Sequence, residues 1–190
     1  MGVDALNDFS LVGGTALSLR YGHRTSIDLD LFCHTKFENR VIEKALKQTF
    51  GKAFVYEEAH TSFGIFCYIE NVKIDIVYYP HLPLVSATEV EGIRMYESAD
   101  IAAMKIQAIL GRGRKKDFWD LEELLKHYSI RQIIEWHSMK FPTQQLLISI
   151  PSALTYFADA DESEDPVSLK GQTWASVKKT ISQKVSDYLK

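Results

Sequence analysis

Two hydrophobic periods alternate along this chain. Between residues 26 and 32, apolar Ile27, Leu29 and Leu31 interleave with Asp28 and Asp30, the period of two expected for a strand with one buried and one polar face. Both aspartates then project the same way. Residues 9–12 read as an earlier strand that runs into the turn Gly13-Gly14-Thr15, and residues 16–21 as a short helix whose N-terminal amides face that turn. A helical period takes over in residues 36–50, where Val41, Ile42, Ala45, Leu46 and Phe50 share a side. Residues 53–57, 64–69 and 73–79 predict three successive strands, with Asn71 in the turn between the last two. Pro80 and Pro83 end the sheet region in this reading.

Beyond the sheet, Ser98 is the expected cap of a helix reaching about Leu110, which Gly111 and Gly113 break. Helices are expected over residues 115–127, 130–137 and 173–189, with Pro142 and Pro151 between them and residues 158–166 as an exposed acidic loop. Strands and helices mixed in this way predict an α+β domain rather than a bundle or a sandwich. A soft boundary near residues 111–114 divides it into a core, residues 1–111, and a helical C-terminal region, residues 112–190.

Composition adds limits. With 190 residues, 46% of them hydrophobic, the chain can bury a substantial core, which excludes disorder as the default. A formal charge of −3 exerts no global pull on nucleic acid, yet residues 105–116 carry Lys105, Arg112, Arg114, Lys115 and Lys116 with no acid among them. Cys33 and Cys67 both sit in apolar runs and read as buried free thiols, in keeping with a reducing cytoplasm. The N-terminus shows no signal pattern, and no apolar run approaches the roughly 18 to 20 residues that span a bilayer, so a soluble protein without a membrane partner is expected.

The chemistry concentrates at carboxylates. Asp28 and Asp30 lie shortly after the glycine turn, where backbone amides and the Thr15 hydroxyl can hold phosphate oxygens at a helix start. Asp75 is embedded between Ile74 and Ile76, where an unpaired charge is costly and calls for a metal or a cationic partner. Paired carboxylates of this kind place divalent cations against triphosphate oxygens during in-line displacement.

Four segments in this order resemble the AbiEii/AbiGii nucleotidyltransferase toxins, a polymerase-beta-like family: Gly13-Gly14-Thr15-Ala16-Leu17, residues 24–32 around Asp28-Leu29-Asp30, Lys73-Ile74-Asp75-Ile76-Val77, and residues 114–121 around Lys116-Asp117. The resemblance covers about the first two-thirds of the chain. It implies a nucleotidyltransferase core with flanking helices, in which Gly13, Gly14, Thr15 and Ser26 bind nucleotide. It also implies that Asp28, Asp30 and Asp75 ligate Mg²⁺ or Mn²⁺, with Asp75 alternatively the base. Lys105 steadies the triphosphate and Asp117 supports nucleotide or acceptor binding under the same resemblance. The implied substrate is a nucleoside triphosphate, the implied acceptor a hydroxyl on RNA such as tRNA, and the implied partner an antitoxin protein.

Plainer readings stand beside these. Asp28 and Asp30 fit an exposed sheet face, Lys105 the surface of an amphipathic helix, and Asp117 a helix cap. Arg24 and Ser26 are turn residues by default. A catalytically idle scaffold that binds nucleotide or a protein partner is the alternative function, and a metal-dependent phosphohydrolase is a third. The six histidines show no zinc spacing, and Trp119, Trp136 and Trp174 read as helix-packing residues.

Overall fold

The computed structural model describes residues 2–56 and 63–190. Seven strands form one mixed sheet: β1 (Ser10–Val12), β2 (Leu29–Cys33), β3 (Phe54–Tyr56), β4 (Gly64–Ile69), β5 (Val72–Tyr78), β6 (Thr88–Val90) and β7 (Ile93–Met95), in the order β3-β4-β5-β2-β1-β7-β6. The helices are α1 (Gly13–Tyr21), α2 (Asn39–Phe50), α3 (Ser98–Gly111), α4 (Lys115–Leu124), α5 (Ile130–Lys140), α6 (Ile150–Leu154), α7 (Ala158–Asp161) and α8 (Trp174–Tyr188). The α+β class expected from the sequence is the observed one.

The order of the central strands positions the chemistry. Strand β1 pairs antiparallel with β2, and β2 pairs parallel with β5 in a register that sets Asp30 opposite Asp75. Because side chains alternate along a strand, Leu29, Leu31, Ile74 and Ile76 go to one face and both aspartates to the other. Helix α2 covers the apolar face, burying Ile42 and Leu46. A parallel pair needs a long crossover, which the α2-β3-β4 excursion supplies. The β4–β5 turn uses Glu70 and Asn71 at positive φ, the conformation that matches a two-residue hairpin to strand twist.

Several expectations need correction. The predicted strand over residues 26–32 begins only at Leu29, so Asp28 precedes it and Ile27 is 70% exposed. The cause is tertiary: Thr25 N donates to the Val167 carbonyl at 2.9 Å and Arg24 bridges Ser168, which draws this stretch toward the C-terminal segment. Residues 13–15 are the first turn of α1 rather than a turn before it. The sheet does not end at Pro80 and Pro83. It continues through β6 and β7, joined by Glu91-Gly92 at positive φ, with β7 parallel to β1. Glu97 occupies the cap position expected of Ser98, which is buried inside α3 with its hydroxyl 2.7 Å from that of Tyr21. The predicted loop over 158–166 contains α7, and Ala160 is buried. Residue 57, at the end of the predicted third strand, lies outside the described residues.

Helix α3 is buried nearly all round and forms the spine against which α1, α4, α5 and α6 pack. Buried apolar side chains form one cluster from Leu6 to Val185, running across the α3–α4 junction at which the sequence suggested a boundary. Among the described residues no helix is long and apolar enough to cross a membrane.

Candidate active site

On the polar face of the sheet, Asp30 and Asp75 stand side by side. Burial and the Asp75 charge raise the Asp30 carboxyl above the usual carboxylate range, an effect that Lys105, Lys73 and Lys116 partly offset. Lys73 Nζ contacts Asp75 Oδ2 at 2.6 Å, and although partial burial opposes its charge, that contact shifts the lysine upward. Asp75 Oδ1 is buried with no hydrogen-bond partner. An orphaned carboxylate oxygen beside a second, strained carboxylate is an environment that a cation relieves.

The start of α1 closes one side of this pair. Gly13 has φ +70°, and a Cβ there would lie 2.7 Å from Asp30 Oδ2, so glycine permits both the backbone turn and the close approach. Thr15 Oγ1 donates to the Asp28 carbonyl and lies 2.8 Å from Ser26 Oγ, tying helix to loop. Val12 holds the N-cap position and offers no side-chain acceptor to the first amides. Asp28 itself is exposed. Among the described residues, no three acidic, histidine or cysteine side chains converge on a point that would hold a metal ion. The structure thus brings together Asp30 and Asp75 from the expected three, and leaves the Asp28 side chain at the mouth of the adjoining cleft.

Behind this face lies a buried ionic cluster centred on Asp120. Its Oδ1 receives Arg24 Nε and His23 Nε2, both at 2.7 Å, while Oδ2 receives Arg24 Nη2 at 2.9 Å and Lys105 Nζ at 2.7 Å. Lys105 also reaches Asp117 Oδ1 at 2.8 Å, and Asp117 Oδ2 accepts the Arg114 amide, at the cap of α4. Burial disfavours the Asp120 charge, but Lys105, His23 and Arg24 outweigh it and hold the carboxyl far below its ordinary value. Burial opposes the Lys105 charge too, and Asp120 and Asp117 overcome it. Two guanidinium and ammonium charges thus meet two carboxylates inside the protein, an arrangement that depends on all four partners.

This cluster changes the reading of three sequence candidates. Gly14 packs against it: a Cβ there would overlap the Arg24 guanidinium and come within 3.3 Å of Asp120 Oδ2. Lys105 and Asp117 belong to the cluster, and Lys105 acts on Asp30 through its field rather than through contact. Arg24 reads from the sequence as a turn residue, or a site neighbour under the family resemblance, and Asp120 and His23 have no assigned role there. Their signal was the Asp117-x-x-Asp120 spacing, which puts two carboxylates on one helical face amid Phe118, Trp119 and Leu121. Gly14→Ala is expected to lower stability by about 1–3 kcal/mol, because steric overlap with a bidentate ion pair exceeds the gain in helix propensity. Equilibrium urea unfolding checks this, and an unchanged midpoint would show that Arg24 can move freely.

A cleft of about 750 Å³ opens at Asp28, between residues 24–28, the basic side chains Arg112, Arg114 and Lys116, and a segment carrying Asp159, Glu162, Glu164 and Asp165.

Comparison with known proteins bears on the fold and the family. A protein of Aquifex aeolicus strain VF5, itself uncharacterised, is 33% identical over 192 residues, spanning 96% of this chain and 89% of its own length. Among solved structures, MenT4, a nucleotidyltransferase toxin of Mycobacterium tuberculosis, superposes with a TM-score of 0.63 at 14% identity, covering 95% of this chain and 75% of the other. JHP933 of Helicobacter pylori gives 0.52 at 17% identity, with 97% and 88% covered. At such identities the likeness is one of fold. The family model describing the nucleotidyl transferase AbiEii toxin of type IV toxin–antitoxin systems matches residues 3–139, which hold the sheet, the Asp30–Asp75 pair and the Asp120 cluster, and the chain belongs to that family.

Proposed function

We propose that this protein transfers a nucleotidyl group from a nucleoside triphosphate to a hydroxyl of an RNA acceptor such as tRNA, with release of pyrophosphate. The observation that carries this reading is the in-register Asp30–Asp75 pair with its orphaned Asp75 Oδ1. The donor set suits Mg²⁺ or Mn²⁺, which Asp30 and Asp75 would hold, Asp28 lying apart from the pair. When bound, the ion stabilises charge on the attacking and leaving oxygens.

The remaining work falls to this chain. The uncapped amides at Gly13 and Gly14 point along the α1 dipole and favour phosphate oxygens. Ser26 lines the cleft with its hydroxyl donating to Thr15 Oγ1, whose own proton goes to the Asp28 carbonyl, so Ser26 reaches a phosphate oxygen only by releasing Thr15. As the acceptor hydroxyl oxygen attacks the α-phosphorus, the bond to pyrophosphate breaks and the hydroxyl proton passes to a carboxylate of the site, Asp75 being the alternative base when its free oxygen does not ligate the ion. Lys105, fixed by Asp117 and Asp120, contributes positive potential to the site without leaving its ion pairs. Membership of a toxin family supports an antitoxin partner and a cytoplasmic site of action, for which co-purification with the product of a neighbouring gene is the direct check.

A second reading, an idle scaffold that binds nucleotide only, is favoured by Lys73 occupying one Asp75 oxygen and by the dispersed position of Asp28. One experiment separates the two. Purified protein is incubated with Mg²⁺, total RNA and each labelled nucleoside triphosphate in turn, and the products are resolved on a denaturing gel. Label on an RNA species with wild type and not with Asp75→Asn supports transfer. Triphosphate binding without pyrophosphate release moves the function to the scaffold.

A further inference from the structure

The acidic side of the cleft is a strap anchored at both ends. At its start, the Phe157 ring packs on those of Phe118 and Trp174, and Asp161 accepts from Trp174 Nε1 at 2.5 Å. Beyond it, Leu169 N donates to the His23 carbonyl at 2.9 Å, and Lys170 Nζ pairs with Glu123 at 2.6 Å. Between these anchors, Asp159, Glu162 and Glu164 line the cleft opposite Arg112, Arg114 and Lys116. Lys115 crosses to the strap, its Nζ 2.7 Å from Asp165 Oδ1 and its amide donating to Ser163 Oγ at 2.9 Å. Among the described residues, Arg112, Arg114 and Lys116 have no carboxylate within ion-pair distance, and neither Glu162 nor Glu164 has a cation.

Three cations with no ion-pair partner on one wall of an open cleft suit the phosphates of a nucleic-acid strand, and three carboxylates on the facing wall repel the same strand. The field of Lys116 reaches Asp30, so the basic wall leads to the carboxylate pair. We propose that Arg112, Arg114 and Lys116 form the phosphate-binding wall for a single-stranded RNA, and that the strap acids Asp159, Glu162 and Glu164 act as a built-in competitor that keeps its affinity low. This deepens the RNA-acceptor reading and rests on it for its biological meaning. The electrostatics stand apart from the chemistry: at cleft distances each facing charge acts across partly screened solvent, and removing three of them sums to a measurable change.

The test measures fluorescence anisotropy of a labelled 12-nucleotide single-stranded RNA, without triphosphate or metal, so that failure of the transfer chemistry leaves it unaffected. The Asp159→Asn/Glu162→Gln/Glu164→Gln variant is expected to bind about tenfold more tightly than wild type at moderate salt. Adding Arg112→Gln/Arg114→Gln/Lys116→Gln should cancel that gain and reduce the slope of log affinity against log salt by about 2. None of the six side chains is buried, and thermal unfolding midpoints verify that the variants fold. Unchanged affinity in the acid-neutral variant overturns the proposal, as does a gain that survives loss of the three cations.

Discussion

Asp30→Asn is expected to reduce nucleotidyl transfer by about 10³-fold while making the protein more stable at neutral pH. The loss follows from removing a carboxylate that would hold the metal ion, an interaction worth several kcal/mol in the transition state, each 1.36 kcal/mol being tenfold in rate. The stability gain follows from the raised Asp30 carboxyl: its charge is disfavoured by burial and by Asp75. An acid whose folded pKa lies above its unfolded value binds its proton more tightly when folded. The resulting stability is fully present below the unfolded pKa and is lost as pH rises through the folded one.

Asparagine removes that loss, so the variant's unfolding midpoint should stand above wild type at pH 7 and converge with it in acid. Activity runs the opposite way, since the carboxylate form is required, and wild-type transfer should fall as pH drops through the raised value. Thermal unfolding across pH and single-turnover transfer measure both. Full activity in the variant would remove Asp30 from the site, and a lower midpoint at pH 7 would show that Asp30 has a stabilising partner. Mg²⁺ or Mn²⁺ should raise the wild-type midpoint and not that of Asp30→Asn, because binding to the folded state alone stabilises it.

Asp120→Ala should destabilise the fold by about 3–5 kcal/mol, the usual cost of breaking a buried ion pair from one side. Lys105 keeps Asp117, but Arg24 and His23 lose their shared acceptor and stay buried. Against a total of about 5–15 kcal/mol this is a large share. The pH dependence carries a separate signature. Asp120 is depressed in the folded state, so its contribution is present above the unfolded carboxyl pKa and is lost as pH falls toward the folded value. Wild type should therefore lose stability in acid more steeply than Asp120→Ala. Urea unfolding at neutral and acidic pH checks both statements, and parallel acid profiles would mean that the cluster contributes little.

The sheet's chemistry was legible because it is written in local periods. Asp75 between Ile74 and Ile76, and Asp30 between Leu29 and Leu31, announce carboxylates on the polar face of half-buried strands, and the Asp30–Asp75 register makes them neighbours. Asp28 obeyed the same alternation in sequence and failed in space, because Thr25 pairs with Val167 and pulls the chain out of the strand just before Leu29. No pattern within residues 24–28 encodes a partner 142 positions away. The β6–β7 hairpin escaped for a local reason, since every residue of β6 is exposed and no apolar alternation marks it as a strand.

Sequence alone determined the α+β class, the strands that carry Asp30 and Asp75, a helix after the first strand and a concentration of basic charge after Lys105, because each depends on residue type and spacing within about ten positions. Tertiary structure decided which charges neutralise one another. Lys105 reads as a surface lysine on an amphipathic helix, yet its neighbours Asp117 and Asp120 arrive on α4 and Arg24 on the loop before β2, and together they turn that lysine into a buried cation. The acidic residues after α7 likewise read as a solvated loop until their anchors on His23 and Glu123 set them across a cleft from Arg112 and Arg114. Electrostatic partnership depends on distance through space, and folding brings together charges whose separation in sequence gives no sign of it.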